Sequence, residues 1–236
     1  MNVLVTGAGK GLGLELCKQF NDAGHVIFPL VRSEESARLI SREITDKCYP
    51  IITDLNNDES IPLIEKVLTS YTDRLDILIN NAGIASQRPD FTLNQITTGN
   101  ISKLFNIHCL GAVRCVLASQ SFLLKSSKPL ILNISSRLGS LERIANDYYG
   151  AEELSYGYRI AKASQNMFTS CLNHELSQKG IATFAIHPGK FRSTTSHGQG
   201  EWKAKDAARN IIKWIDTIPI GESGKFIFPN YEEIPW

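Results

Sequence analysis

The absences in this sequence narrow the field first. No long apolar run is present: the richest, Val26 to Val31, contains Pro29 and falls far short of the roughly 20 residues that cross a bilayer. No charge of one sign dominates, with 25 Lys and Arg against 24 Asp and Glu and a net charge of +1. Neither nucleic acid nor a membrane surface is therefore expected as a partner. The five cysteines, Cys17, Cys48, Cys109, Cys115 and Cys171, form no C-x-x-C pair, and their odd number argues against a disulfide framework. No basic leader or cleavage site precedes the apolar stretch Asn2-Val3-Leu4-Val5-Thr6, so a reducing cytoplasm is the expected setting. The sequence has no Walker A turn, no G-x-S-x-G elbow and no H-E-x-x-H among His25, His108, His174, His187 and His197. A phosphate-transfer loop, a serine hydrolase and a catalytic metal are all unsupported.

What is present reads as an α/β fold. At 236 residues, 42% hydrophobic, the chain can fill one large core, and residues 1–236 are expected to form a single domain. Short β-type runs near 2–6, 26–31, 49–53, 75–79, 129–134, 181–186 and 225–228 alternate with helical patterns near 11–23, 34–42, 58–71, 99–126, 156–179 and 203–216. That alternation predicts a three-layer, doubly wound parallel sheet, a Rossmann fold. Three stretches, 82–98, 136–155 and 188–202, keep neither period. They are the candidate substrate loops, since open α/β sheets bind ligands beyond the carboxyl ends of their strands.

The first strand runs into Thr6-Gly7-Ala8-Gly9-Lys10-Gly11-Leu12-Gly13 and then a helix. In that context Gly7, Gly9, Gly11 and Gly13 let the backbone turn sharply against a pyrophosphate, whose charge the amides around Leu12 and the helix dipole would hold. NAD sites place an acidic residue at the end of the second strand, but here the strand ends in Val31-Arg32-Ser33. Arg32 and Lys10 would instead bind a 2′-phosphate, favouring NADP(H) as cofactor. Asp54 and Leu55, after the third strand, are placed beside the adenine.

A tyrosine becomes a useful acid or base near neutral pH when a cation pulls its phenol down from about 10. Among the seven tyrosines only Tyr158 has a lysine four positions on, Lys162, on the same helical face. Chance alone supplies such a pair often, so the order of motifs matters more. The glycine turn, Asn80-Asn81-Ala82-Gly83, Asn133-Ile134-Ser135-Ser136, Tyr158-x-x-x-Lys162 and Pro188-Gly189 follow one another along the whole chain.

Together these resemble the short-chain dehydrogenase/reductase family. The ending Ser223-Gly224-Lys225-Phe226 with Ile234-Pro235-Trp236 resembles its sniffer-like carbonyl reductase branch. The resemblance implies a carbonyl or alcohol substrate, with Tyr158 exchanging the proton and Lys162 holding the nicotinamide ribose and depressing the phenol. It implies Ser136, three residues before Gly139, as the group on the substrate oxygen, rather than Ser135. It also implies Asn81 and Gly83 (with Ala82 between them) on the adenosine-ribose side, Gly189 (after Pro188) and Ser193 at the nicotinamide end, and a homodimer or homotetramer.

One position departs from the family. Where many members carry an Asn three residues before a helical Gly, this chain has His108 before Gly111. His108 has two readings, a ring nitrogen holding a relay water or a satisfied core histidine. Asn106 lies half a turn away and does not substitute for it. The interval from Ser136 to Tyr158 is longer than usual, and its extra residues are read either as a loop beside the site, where Tyr148 or Tyr149 could stack on a substrate ring, or as a surface excursion. Arg88, Arg137, Arg143, Lys190 and Arg192 are read either as favouring an anionic substrate or as scattered surface cations. A non-catalytic NADP(H) sensor stays as the alternative from another functional class.

Overall fold

The computed structural model describes residues 1–85, 90, 92–148, 155–190, 202–219 and 221–236. Its strands are β1 (Asn2–Thr6), β2 (Val26–Val31), β3 (Ile51–Ile52), β4 (Ile77–Asn80), β5 (Leu130–Ile134), β6 (Ala182–Ile186), β7 (Lys225–Phe228) and β8 (Glu232–Glu233). They form one sheet in the order β3-β2-β1-β4-β5-β6-β7-β8, parallel throughout except for the antiparallel pair β7 and β8. The order reverses between β1 and β4, and the crevice beyond that switch point is where a doubly wound sheet binds its ligand.

Alternation along the strands builds the two faces. Val3 and Val5 of β1, with Ile77 and Ile79 of β4, point into one core. That core is closed by α1 (Gly11–Asp22), α2 (Glu34–Glu43) and α8 (Ala204–Ile215). Leu4 and Leu78 point into the other, closed by α3 (Ser60–Tyr71), α5 (Gly111–Leu123) and α7 (Tyr156–Leu176). A sheet covered on both sides needs apolar residues at every strand position, which is why its strands read as unbroken apolar runs.

Three elements differ from expectation. β3 is two residues rather than five, because Pro50 has no N–H to give the ladder; Cys48 pairs with Ile27 only as an isolated bridge. The helix expected over 99–126 is α4 (Thr98–Phe105), a π turn at Asn106–Leu110 and then α5. Through that turn Thr98–Leu123 becomes long and apolar enough, by length and composition, to cross a bilayer, although 56% of its apolar window is buried inside the protein. Unbroken apolar runs do not show this, since the helix continues past Lys103, His108 and Arg114. The stretch 136–155 contains α6 (Leu141–Ala145).

The short end of the chain is tied to the site. Ser140 Oγ donates to Pro235 O at 2.6 Å, Glu142 N donates to Trp236 O at 2.9 Å, and buried Arg143 pairs with Glu232 at 2.7 Å. The C-terminal residues thereby brace the segment that follows β5.

Candidate active site

At the carboxyl ends of β1 and β4 the backbone is packed to the limit. Gly7 has φ +65, and a Cβ there would sit 2.9 Å from Ala82 Cα. A Cβ on Gly13 would lie 2.5 Å from Gly7 O and 2.6 Å from Asn81 Nδ2. Asn81 Nδ2 donates to Thr6 O at 2.8 Å, and Thr6 Oγ1 accepts from the amides of Asn81 and Ala82, each at 2.9 Å. Asn81 and Ala82 therefore stitch β4 to the glycine turn and set its shape.

Lys10 precedes α1 without capping it, and no acidic side chain lies in the first turn, so the amides there face no competing anion from this helix. Lys10, Gly11 and Arg32 are exposed, whereas Leu12 and Gly13 are buried. Gly9 lies against Ser36 in the first turn of α2, whose N-cap is Ser33, accepting from Ser36 N at 3.2 Å. Ser33 is thus spent on the helix end beside Arg32. Asp54 is exposed and accepts from Asn56 N at 3.1 Å; Leu55 is buried in the second core, and its carbonyl accepts from Arg114 Nη1 at 2.8 Å. The same Arg114 atom donates to Asn106 Oδ1 at 2.8 Å, and Asn106 Nδ2 donates to Asn56 O at 2.9 Å, which commits Asn106 to the segment after β3.

The residues singled out as catalytic candidates gather where β5 meets α7. Ser135 continues the strand, is buried, and donates to Asn166 Oδ1 at 2.5 Å. Ser136 turns the other way and is hydrogen-bonded to the Tyr158 phenol. Three residues on, a Cβ at Gly139 would come within 2.9 Å of Lys162, so glycine is what lets this turn press against α7. Lys162 is 4% exposed; its Nζ donates to Ile134 O at 2.6 Å and Gln165 Oε1 at 3.0 Å, and lies 5.8 Å from the Tyr158 ring centre.

His108 stands edge-on to Tyr158, ring centres 5.3 Å apart. Its Nε2 lies 2.9 Å from Ile84 O and 3.3 Å from Ile84 N, the shorter contact being that of a protonated Nε2 donating to the carbonyl, and its buried Nδ1 has no protein partner. Gly83 makes room for this ring: any Cβ there would collide with the imidazole.

Burial governs the electrostatics. It lowers Lys162 to about 7, against a small opposing effect of Cys109. Burial and then the Lys162 charge lower His108 to about 3, so the imidazole is neutral. The phenol behaves differently from the expectation that lysine would depress it. Burial pushes Tyr158 up to about 12, opposed only in part by the bond with Ser136.

At the far side, Gly189 has φ +88 and is buried, with space for a Cβ taken by the Trp202 ring; Pro188 is also buried. Tyr148 is exposed and stacks under Arg143, whose guanidinium is 4.7 Å from the ring centre. Ser193, Arg88, Tyr149 and Arg192 lie outside the described residues.

Two site features were not anticipated. Asp90, 1% exposed, accepts from Gly157 N and Ser155 Oγ, each at 2.8 Å, and so caps the tyrosine helix from 67 residues away. Ser155 masks it in the sequence, since it reads as the natural N-cap yet makes no side-chain cap bond. His187 is buried at the end of β6, its Nδ1 unpartnered and its ring 5.0 Å from Phe228; burial and then Arg137 and Arg143 lower it to about 3. Only its place before Pro188 could have drawn attention to it. Among the described residues no group of three His, Cys, Asp or Glu is placed to hold a metal ion.

Comparison with known proteins agrees with this architecture. A short-chain dehydrogenase of Penicillium roqueforti is 31% identical over 226 residues, covering 89% of this chain and 86% of its own. The NADPH-bound carbonyl reductase from chicken fatty liver superposes with a TM-score of 0.88 at 24% identity, over 100% of this chain and 98% of that one. The carbonyl reductase Sniffer of D. melanogaster gives a TM-score of 0.88 at 22% identity, over 100% and 99%. The family model for short chain dehydrogenases matches residues 1–204, and the chain belongs to that family of oxidoreductases.

Proposed function

We propose that this oxidoreductase uses NADP(H) to interconvert a carbonyl and an alcohol, with Tyr158 as the proton donor in the reductive direction. One observation carries the reading: Ser136, hydrogen-bonded to Tyr158 and set beside buried Lys162, lies on the same sheet edge as the glycine turn. The cofactor fits the residues present, since Gly7 and Gly13 leave a cradle no Cβ could enter and the amides at the start of α1 are uncapped. The amides of Gly9 to Gly13 would hold its pyrophosphate, Lys10 and Arg32 its 2′-phosphate, and Lys162 its nicotinamide ribose. Pro188, Gly189 and Ser193 would border the nicotinamide. When bound, this group supplies the hydride.

The chain's own residues manage the oxygen and the proton. Ser136 binds the substrate oxygen and holds it at Tyr158. A phenol at about 12 keeps its proton at neutral pH, the form that reduction requires. His108 stays neutral and presents Nδ1 as an acceptor, the group a relay water needs for returning the proton. NADP(H) is favoured over NAD(H) because exposed Arg32 stands where an acidic residue would select NAD(H), with exposed Lys10 in the glycine turn. The chicken-liver neighbour, whose bound cofactor is NADPH, supports the same choice. A homo-oligomer in a reducing compartment completes the reading; it accords with five free cysteines and with exposed Ile160 and Met167 on α7.

A panel of ketones, aldehydes and quinones, followed by the absorbance of NADPH or NADH, tests this. NADPH should be oxidised with at least one class, and Arg32→Ala should reduce the preference over NADH by roughly tenfold, the loss of one charge-assisted contact. NADPH binding without turnover on any class would favour a sensor instead.

A further inference from the structure

The polar groups around Lys162 do more than fill space. Lys162 and Gln165 stand three residues apart on one face of α7 and are 4% and 1% exposed. The ammonium has three N–H donors; one goes to Ile134 O at 2.6 Å and a second to Gln165 Oε1 at 3.0 Å. The backbone at Gln165 is fixed from below. Its backbone carbonyl accepts from Thr169 Oγ1 at 2.9 Å, Thr169 accepts from Asn133 Nδ2 at 2.8 Å, and Asn133 accepts from Asn80 Nδ2 at 2.8 Å. Buried polar bonds thus pin the backbone of α7 at Gln165 to the ends of β4 and β5.

We propose that Gln165 is a positioning residue for the reaction: its side-chain carbonyl holds the Lys162 ammonium in place and in its charged form, leaving the third donor for the cofactor side of the cleft. The inference rests on the role given to Lys162 above. The chemistry of the pair favours it. A buried ammonium loses its proton unless acceptors surround it, and burial already brings Lys162 to about 7. A neutral amide oxygen stabilises the charge without locking it, as a carboxylate would. The titratable groups facing the ammonium are Tyr158 on its own helix and His108 and Cys109 on the π turn; Ser135 and Ser136 face it from the end of β5 only as hydroxyls. None of these supplies a negative charge at neutral pH, so the two carbonyl oxygens carry the task.

The test is a carbon-13 NMR titration of cofactor-free protein labelled at lysine Cε, with Lys162→Met identifying the signal. Replacing Gln165 with Met removes the acceptor and should lower the Lys162 midpoint by about one pH unit, the weight of one hydrogen bond to a charged group. Gln165→Glu should raise it, and the basic limb of kcat should move the same way in each variant. Opposite displacements in the two variants support the proposal, and either variant alone still gives a signed result should the other not fold. Unmoved midpoints with only a lower melting temperature would overturn it, leaving Gln165 a packing residue. Turnover that survives Lys162→Met is a separate failure, of the role given to Lys162 itself.

Discussion

The two ends of this cleft are made of different materials. At the end proposed for the phosphates the surface is mostly backbone: Gly7 and Gly13 fit where no side chain can, and the turn is held by bonds between main chain and the Thr6 and Asn81 side chains. At the chemical end the surface is side chain, with Ser136, Tyr158, Lys162 and His108 gathered from three separate segments and held by Asp90, Gln165 and Asn166 behind them. A site of close-packed backbone fails where an added Cβ would meet main chain, as at Gly7 and Gly13. A site of buried polar side chains tolerates neither loss of a partner nor a change in burial, because unpaired buried groups are costly.

This contrast can be broken deliberately. Gly13→Ala should do the most damage to cofactor binding. The added methyl meets the carbonyl of Gly7, which is backbone and cannot step aside, and overpacking of this kind costs roughly 1–3 kcal/mol. We expect NADPH affinity, measured by fluorescence titration, to fall by ten- to a hundredfold or so. Gly11→Ala is the control: its φ is +57 but a Cβ there meets nothing within 4 Å, so only about 1 kcal/mol of backbone strain is at stake.

Asp90→Ala attacks the other end through its support. It leaves Gly157 N and the Ser155 hydroxyl without their acceptor at the start of α7, a loss on the order of 1–3 kcal/mol. The melting temperature should drop by roughly 5 °C. Turnover should fall further than cofactor affinity, since the first turn of α7 carries Tyr158 and the glycine turn is untouched. Equal losses in both would mean that the two ends are not separable.

The effect that is smallest at neutral pH, and grows only in acid, is that of the two buried histidines. His108 and His187 are held near 3 in the folded protein, against 6.5 in an unfolded chain. Below 6.5 the unfolded chain binds the proton first, so the stability these groups contribute is full above that value and drains away as pH falls toward 3. A His108→Asn variant should therefore lose less stability between pH 6.5 and 4 than the parent, as denaturant titrations at several pH values would show.

The phosphate end was largely legible in the sequence because its determinants are local. A glycine turn between an apolar strand and a helix means much the same thing wherever it occurs. The sheet was legible for a similar reason, since burial on both faces writes unbroken apolar runs into the strands. Tyr158, Lys162 and Ser136 could be named from spacing and order, and Ser136 is distinguished from Ser135 in space by the simple alternation of a strand running on past Ile134.

The rest was not local. Asp90 reaches its helix across 67 residues, and Pro50 shortened a strand whose apolar pattern looked continuous. The π turn at Asn106–Leu110 altered the register of a helix that periodicity drew as straight. The direction of the phenol's shift was also missed: i,i+4 spacing guarantees a shared face but says nothing about burial.

The most direct test of the division of labour is a single-turnover experiment with Tyr158→Phe, measuring NADPH binding and hydride transfer to a carbonyl substrate in the same sample. Removing one hydroxyl from the chemical end should leave the dissociation constant for NADPH within about twofold of the parent, while hydride transfer slows by roughly a thousandfold, the range of general acid catalysis. Turnover preserved in that variant, or cofactor binding lost along with it, would contradict the account.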